Sequence, residues 1–266
     1  MDDTPPLRRL ADELSRPDTV YLDPTRYARL SVVEQASGLS VDFYGSPLEA
    51  PYLKVCLALR SPGTAERLVS VVLRSPDEGA NGIRNWDLTE LLDTPSTFSN
   101  LKLFSIAQTS PGDHNKSIVA SSYDEDGVLG RLLHKAPVLD ALIAPSAPND
   151  EFFKRQGHPL RYLNLDTGLA TQGFIGNLAD SKAFPGLRTL EFGEFDATDD
   201  KDFNERCTPL EDYRRLFSST AFEQVQGFTW RNPACSATEV ATLRRLLPHR
   251  FSFKVIRTSS EYVRLD

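Results

Sequence analysis

Sulfur-containing residues are scarce in this chain of 266 residues, which has three cysteines and one methionine. Cys56, Cys207 and Cys235 are odd in number, and no two of them stand in a CxxC spacing. Because disulfide scaffolds use paired cysteines in oxidising compartments, this pattern fits a reducing one better. We therefore predict three buried thiols.

Long apolar runs are also missing. No uninterrupted apolar stretch approaches the roughly 18 residues that indicate a membrane-spanning helix. The amino-terminal sequence "MDDTPPLRRLADEL" is charged and lacks the apolar region of a signal peptide. The sequence therefore predicts a cytoplasmic protein with no membrane association.

Positive charge is in deficit, with 30 Lys and Arg against 37 Asp and Glu, so the formal net charge is −7. Binding to phosphate backbones depends on clustered Lys and Arg. The balance therefore argues against nucleic acid as a partner. It favours a basic protein partner only weakly.

Enzyme motifs are absent. The sequence contains no GxGxxG, GxxxxGK[ST], GxSxG or HExxH, which would indicate dinucleotide, phosphate, serine-nucleophile or zinc chemistry. His114, His134, His158 and His249 lie far apart, and structural or surface roles are expected for all four. A Cys–His pair brought together by the fold would leave no local signature. We predict no catalytic residue, no cofactor and no metal.

The densest charge lies in "EFGEFDATDDKDFNE" from Glu191 to Glu205. Several carboxylates can bind a divalent cation, and a metal-dependent hydrolase using Asp196–Asp202 is one alternative. A contact patch for a basic partner is another. Because the D-x-[DN]-x-[DN]-G calcium loop is missing, we favour a solvated loop before the segment "PLEDYRRLF".

One short phrase recurs along most of the chain: "FSNLKLFSIA", "APVLDALIA", "HPLRYLNLD" and "FPGLRTLEF". Each copy has an L-x-x-L-x-L pattern, which is typical of a short strand. The shortest interval between successive anchors is 21 residues (Leu139 to Leu160) and the longest is 38 (Leu101 to Leu139). The anchors are Leu68, Leu101, Leu139, Leu160, Leu187 and Val225.

Amphipathic, helix-like segments separate these strands. A strand–helix unit of this kind cannot bury its apolar surfaces alone, and stacking the units produces one continuous core. The sequence therefore predicts an α/β solenoid. The helical segments are "WDLTELLDTPSTF", "DGVLGRLLHKAP", "QGFIGNLADSKAFP", "PLEDYRRLFSSTAF" and "SATEVATLRRLLPHR".

The L-x-x-L-x-L phrase followed by a helix resembles the leucine-rich-repeat family, particularly its longer, ribonuclease-inhibitor-like units. "HPLRYLNL" after "LLHKAPVLDAL" is similar to bacterial cytoplasmic members with irregular repeats. The resemblance covers roughly residues 64–257. It implies a leucine-rich-repeat-like solenoid with a parallel concave sheet, helices on the convex side, and use as an interaction scaffold. An ordinary α/β sheet of unrelated strands and helices is the alternative.

Residues 1–63 do not follow the phrase, and we interpret them as an amino-terminal cap or flanking sheet, with the solenoid over 64–266. "PPLRRLADEL" predicts a short helix and Leu53–Leu59 predicts a strand. The valines of Ser70–Arg74 favour a strand there over a helix capped by Thr64. "FSFKVIRTS" predicts a final strand.

Strand alternation places the motif leucines inside and the intervening residues on the concave face. The first half of that face is then apolar, and the second half is polar with one aromatic ring. Apolar area beside a polar patch is typical of an interface, unless the amino-terminal region covers it. The apolar positions are Val72, Leu103, Ala141, Ile143 and Pro145, and the polar ones are Tyr162, Asn164, Asp166 and Glu191.

These observations predict a non-enzymatic protein-binding module that acts through its concave face. Within that class we favour an inhibitor or immunity protein that occludes a bacterial toxin or effector, because many nucleic-acid-directed toxins are basic. A structural subunit of a larger assembly is a further alternative to the hydrolase. The expected partner contacts are Tyr162, Asn164, Asp166, Glu191, Glu194, Ile143, Leu103 and Arg231.

Overall fold

The strands account for most of the architecture. The computed structural model describes residues 6–15, 28–77, 79, 82–121, 124–195, 203–248, 251–259 and 262–265. Within them lie the strands β1 (Arg29–Gln35), β2 (Gly38–Tyr44), β3 (Leu68–Arg74), β4 (Gly82–Asn85), β5 (Leu103–Ile106), β6 (Asn115–Ile118), β7 (Ala141–Ala144), β8 (Tyr162–Asp166), β9 (Thr189–Gly193), β10 (Gly227–Arg231), β11 (Ser252–Ser259) and β12 (Tyr262–Leu265).

Ten of these strands form one sheet in the order β1-β2-β3-β5-β7-β8-β9-β10-β11-β12, and β4 and β6 form a small parallel sheet. Each strand of the large sheet therefore lies beside the sheet strand that precedes it in the chain. The pairs β1–β2 and β11–β12 at the two edges are antiparallel, and every pair between them is parallel. The fold is α/β with a large, mostly parallel sheet.

Helices connect most of the parallel strands, and β7 and β8 are joined through a short 3-10 helix (Asp150–Phe153). All five segments that the sequence predicts to be helical contain one, and "PPLRRLADEL" also forms a helix as predicted. Ser236 begins the last helix with a capping box in which its side chain accepts from Glu239 N–H at 3.2 Å. The helices are α1 (Pro6–Ser15), α2 (Ala50–Leu59), α3 (Pro62–Ala65), α4 (Thr89–Leu92), α5 (Val128–Lys135), α6 (Phe174–Ala179), α7 (Phe203–Arg206), α8 (Leu210–Phe217) and α9 (Ala237–Arg244).

The motif residues form the core, as predicted. Leu160, Leu163 and Leu165 are 0% exposed, and the other copies of the phrase are buried in the same way. The buried residues of α5, α6 and α8 belong to the same cluster, so these helices cover this face of the sheet. Burial of apolar area at roughly 25 cal/mol per Å² makes this layer the main source of stability.

The amino-terminal region departs from the prediction in two places. Leu53–Leu59 is part of helix α2, so the predicted strand is wrong. Pro51 lies in the first helical turn, where proline is favoured, and an apolar run cannot by itself distinguish a strand from a buried helix. The hairpin of β1 and β2 was not predicted. The strands over Ser70–Arg74 and "FSFKVIRTS" are confirmed by β3 and β11.

The opposite face of the sheet carries the half-exposed residues that alternate with the motif leucines. We call it the open face. Helix α1 contacts β1 and α2, and Leu7, Leu10 and Leu14 belong to the same core as the motif leucines. Among the described residues, the amino-terminal helix therefore packs on the helix side and leaves the open face uncovered.

Candidate site on the open face of the sheet

The strand register brings most of the predicted contacts into one area. Leu103 pairs with Ala141 and Ala141 with Tyr162, while Ile143 pairs with Asn164 and Asn164 with Glu191. Adjacent parallel strands lie about 4.8 Å apart, so these side chains form two neighbouring rows. A third row contains Asp166 and Arg231, separated by Gly193.

Arg231 is the centre of the polar half. Its Nη2 donates to Asp166 Oδ1 at 2.8 Å, to Asn164 Oδ1 at 2.8 Å and to the Leu165 carbonyl at 3.0 Å. Its Nη1 lies 3.4 Å from Glu191 Oε2. The side chain is 18% exposed, and ion pairs gain strength as they lose contact with water. The guanidinium therefore holds residues of three strands in one arrangement.

Gly193 makes this arrangement possible. Arg231 and Asp166 lie two strands apart, on either side of Gly193. A β-carbon at position 193 would lie 2.1 Å from Asp166 Oδ1 and 3.1 Å from Arg231 Nε. Because any side chain would occupy the space of the ion pair, only glycine lets the two groups meet over the strand between them.

Tyr162 extends the network. Its hydroxyl donates to Glu191 Oε1 at 2.8 Å and accepts from Asn164 Nδ2 at 3.4 Å. Burial, together with the Glu191 carboxylate, raises the pKa of Tyr162 to about 12, so the phenol stays neutral and remains a donor. Gln108 Nε2 donates to Asn164 Oδ1 at 3.0 Å. Sequence reasoning missed Gln108, because it follows the strand and lies outside the repeated phrase.

Burial also affects the carboxyl of Asp166. It raises the pKa of Asp166, and the neighbouring Arg231 guanidinium opposes this shift. The ion pair with Arg231 compensates the partly buried charge, since an isolated carboxylate at this place would lose part of its hydration without replacement. The ionised form of Asp166 therefore depends on the neighbouring Arg231 more than the ionised form of an exposed aspartate would.

The apolar half of the open face is less regular. Val72, Leu103 and Ile143 are partly exposed, as the alternation predicts. Ile143 pairs directly with Asn164, whereas Leu103 is separated from Tyr162 by Ala141, and Val72 is separated from Ile143 by Ser105. Pro145 is buried, so it does not contribute to the surface on which it was predicted. The exposed apolar area is consequently smaller than the sequence indicates.

Glu194 lies apart from the other predicted contacts. It is 6% exposed, its Oε2 accepts from Thr208 N–H at 3.1 Å, and its Oε1 accepts from the Tyr213 hydroxyl. Burial raises the pKa of Glu194. Alternate residues of a strand face the same side, and Leu190 and Phe192 face the core. The same alternation predicts that Glu194 also faces the core.

The metal-ligating and nucleophilic side chains bear on the hydrolase alternative. Within the part of the chain that the structure describes, no three His, Cys, Asp or Glu side chains converge to hold a metal ion. Burial raises the pKa of both Cys56 and Cys207 to about 12, which disfavours the nucleophilic thiolate. These two cysteines are buried as predicted, whereas Cys235 is partly exposed. The acidic stretch 196–202 lies outside the described residues.

The histidines occupy three different settings among the described residues. His158 is 1% exposed, and its Nε2 lies 3.1 Å from the Ala136 carbonyl. His134 is in the last turn of α5. His114 Nδ1 lies 2.8 Å from Asp77 Oδ2, which lowers the pKa of Asp77 to about 2. His249 lies outside the described residues.

No protein-family model matches the sequence. No curated protein matches it either. Among the described helices, none combines the length and the apolarity needed to cross a lipid bilayer.

Proposed function

We propose that this chain is a non-enzymatic protein-binding module and that the open face, centred on Tyr162, Glu191 and Arg231, is its contact surface. The observation that carries this proposal is the fixed polar network, on a face that also carries partly exposed Val72, Leu103 and Ile143. Side chains already held in one rotamer lose little entropy on binding, so preorganised surfaces bind more tightly. Tyrosine and arginine are also the residue types that most often anchor interfaces.

We further propose that the architecture is a leucine-rich-repeat-like solenoid over residues 64–266, with residues 1–63 as its cap. The chain-ordered parallel strands, the helices on one side and the buried L-x-x-L-x-L residues support this reading. The open face would then be the concave face, and a partner would be occluded by a preformed curved surface.

We propose that the partner is a protein with a basic surface and that the two proteins meet in the cytoplasm. This chain would then be an inhibitor or immunity protein, and its partner a basic toxin or effector. The net charge of −7 supports this class through electrostatic steering of the encounter. Within the site, Arg231 already pairs with Asp166 and Glu191. Because these charges are already paired, the net negative charge of the whole chain steers the basic partner towards it. The apolar half of the open face and Tyr162 then make the contact.

A quantitative pull-down from native cytosol tests the proposal. Wild-type bait is compared with the double variant Tyr162→Ala/Glu191→Lys on the open face. The matched control is Leu57→Ala/Glu223→Lys, which makes similar chemical changes at exposed positions on the helix side. All three baits are matched for folding by circular dichroism.

We expect one partner to be retained by wild type and by the control, and to be lost from the open-face variant. Retention by all three baits contradicts the proposed surface. Capture of a complex with fixed stoichiometry and no inhibited activity would instead favour the structural-subunit alternative. If wild type captures nothing, protein binding itself is contradicted.

A further inference from the structure

A cavity of about 200 Å³ lies at the ends of β8, β9 and β10, beneath residues 108–113. Asp166, Gly168, Gly193 and Arg231 form much of its wall, so it adjoins the polar half of the open face. A site of this size holds several water molecules or one small ligand. It is smaller than the pockets of about 300–1,000 Å³ that bind drug-sized molecules.

The roof of the cavity, residues 108–113, is tied down at both ends. Gln108 donates to Asn164 on the sheet at 3.0 Å. At the other end, the Asp113 carboxylate accepts from Arg84 at 2.8 Å and from Ser110 N–H at 3.0 Å. The Arg84 side chain is only 6% exposed. The roof is therefore a built element of the fold.

Two glycines let the side chains of the wall pack closely. At Gly193 the space of a β-carbon is taken by the Asp166–Arg231 ion pair, as described above. Gly168 has a φ of +64°, and a β-carbon there would lie 2.4 Å from Ser146 Oγ. The left-handed conformation and this close approach both favour glycine. At these two positions glycine allows Ser146, Asp166 and Arg231 to pack against the backbone, and this packing fixes the shape of the wall.

The charges around the cavity are balanced by other groups of the protein. Arg231 pairs with Asp166, Asp113 pairs with Arg84, and Glu194 accepts from Tyr213 and Thr208. The Lys116 ammonium lies 5.0 Å from the centre of the Phe195 ring, within cation–π distance. An ionic ligand would have to compete with one of these interactions and leave a partly buried charge uncompensated.

We propose that this cavity binds a small, uncharged, hydroxyl-rich ligand of about the size of a monosaccharide. Such a ligand uses the existing charged groups as hydrogen-bond partners without separating any pair. Ser110 and Thr167, which border the cavity, add short polar side chains to these charged groups. This inference does not rest on protein binding, and either proposal can fail alone.

Amide NMR spectra of the 15N-labelled full chain test it. The chain is titrated with two neutral probes, D-glucose and myo-inositol, and with two charged relatives of glucose, D-glucuronate and D-glucosamine. We expect saturable shifts at Gly168, Gly193 and residues 108–113 with at least one neutral probe. We expect at least fivefold weaker binding of both charged probes.

Ser110→Tyr adds a large ring at the border of the cavity, and Ser218→Tyr places the same change at an exposed serine after α8. We expect the first variant to abolish the shifts and the second to retain them. The proposal is overturned if neither neutral probe gives saturable shifts, if a charged probe binds more tightly, or if Ser110→Tyr binds as wild type does.

Discussion

The two faces of the large sheet are built from alternate residues of the same strands, yet they differ in how their side chains are held. On the helix side, Leu163, Phe192 and Trp230 are almost fully buried and apolar. On the open face, Asn164, Glu191 and Arg231 are partly exposed and are held by hydrogen bonds and ion pairs. Apolar packing holds the side chains on the helix side, and polar contacts hold those on the open face. Substitutions on the two faces should therefore change the free energy of unfolding by different amounts.

Glu191 and Glu194 show this difference at close range. They are three residues apart, and both were predicted as partner contacts. Glu191 faces the open side, where it accepts from Tyr162 and lies near Arg231. Glu194 faces the core and is enclosed by Tyr213 and Thr208. Whether an acidic residue of this segment can contact a partner therefore depends on the face of the sheet to which it points. The number of acidic residues nearby does not decide it.

The largest effect is expected for Trp230→Ala. Trp230 is 1% exposed and its ring centre lies 4.1 Å from that of Tyr213, so truncation leaves a cavity and should lower the free energy of unfolding by about 3–5 kcal/mol. Its neighbour on the open face, Thr229→Ala, should change it by less than about 0.5 kcal/mol. Urea denaturation measures both, and equal effects would contradict the division between the faces.

Gly193→Ala should have an intermediate effect. The new methyl group would displace Asp166 from Arg231, and we expect a loss of about 2 kcal/mol in the free energy of unfolding, because a partly buried ion pair is disrupted. Gly227→Ala is the matched control on the same face, because a β-carbon there meets its nearest neighbour at 3.6 Å. Thermal and urea unfolding of the two variants check this expectation. A Gly193→Ala variant as stable as Gly227→Ala would show that the ion pair does not need the glycine.

Tyr162→Phe should have a smaller effect. The substitution removes the hydrogen bond to Glu191 and preserves the ring, so a loss of about 1 kcal/mol is expected. Combining it with Glu191→Gln in a double-mutant cycle measures the coupling between the two side chains. Strictly additive effects would mean that the hydroxyl and the carboxylate do not interact in solution.

The smallest effect concerns pH. Burial raises the pKa of Glu194 above its ordinary value of 4.5, so the folded state binds this proton more tightly than the unfolded state. The stability of wild type should therefore increase, relative to Glu194→Gln, as the pH falls from 7 through the folded-state pKa towards 4.5. Urea denaturation across this range measures the difference. A difference that is constant or decreases would contradict the buried position of Glu194.

Much of the fold follows from the period of two in the repeated phrase. That period places Leu163 and Leu165 inside and Asn164 and Asp166 outside, and the structure agrees. Helix α2 was missed because its sequence is apolar on nearly all sides, which removes the periodicity that separates helices from strands. The correct signal was Pro51 at the helix start.

The polar network could be predicted only in part. Its members were chosen from their faces, but Arg231 and Asp166 are 65 residues apart in the chain. Their contact depends on the register of three strands and on the space left by Gly193. Gln108 joins the network from a connecting segment that carries no repeat signal. Contacts that depend on the three-dimensional register leave no local pattern in a single sequence.

The proposed contact surface is tested most directly by measuring the affinity of the purified chain for the captured partner by isothermal titration calorimetry. Ile143→Lys changes the apolar half of the open face, and Leu57→Lys makes the equivalent change on the helix side, where Leu57 is 40% exposed. The account predicts at least tenfold weaker binding for Ile143→Lys and wild-type affinity for Leu57→Lys, with both variants folded. Equal affinities, or a larger loss for Leu57→Lys, would contradict the open face as the binding surface.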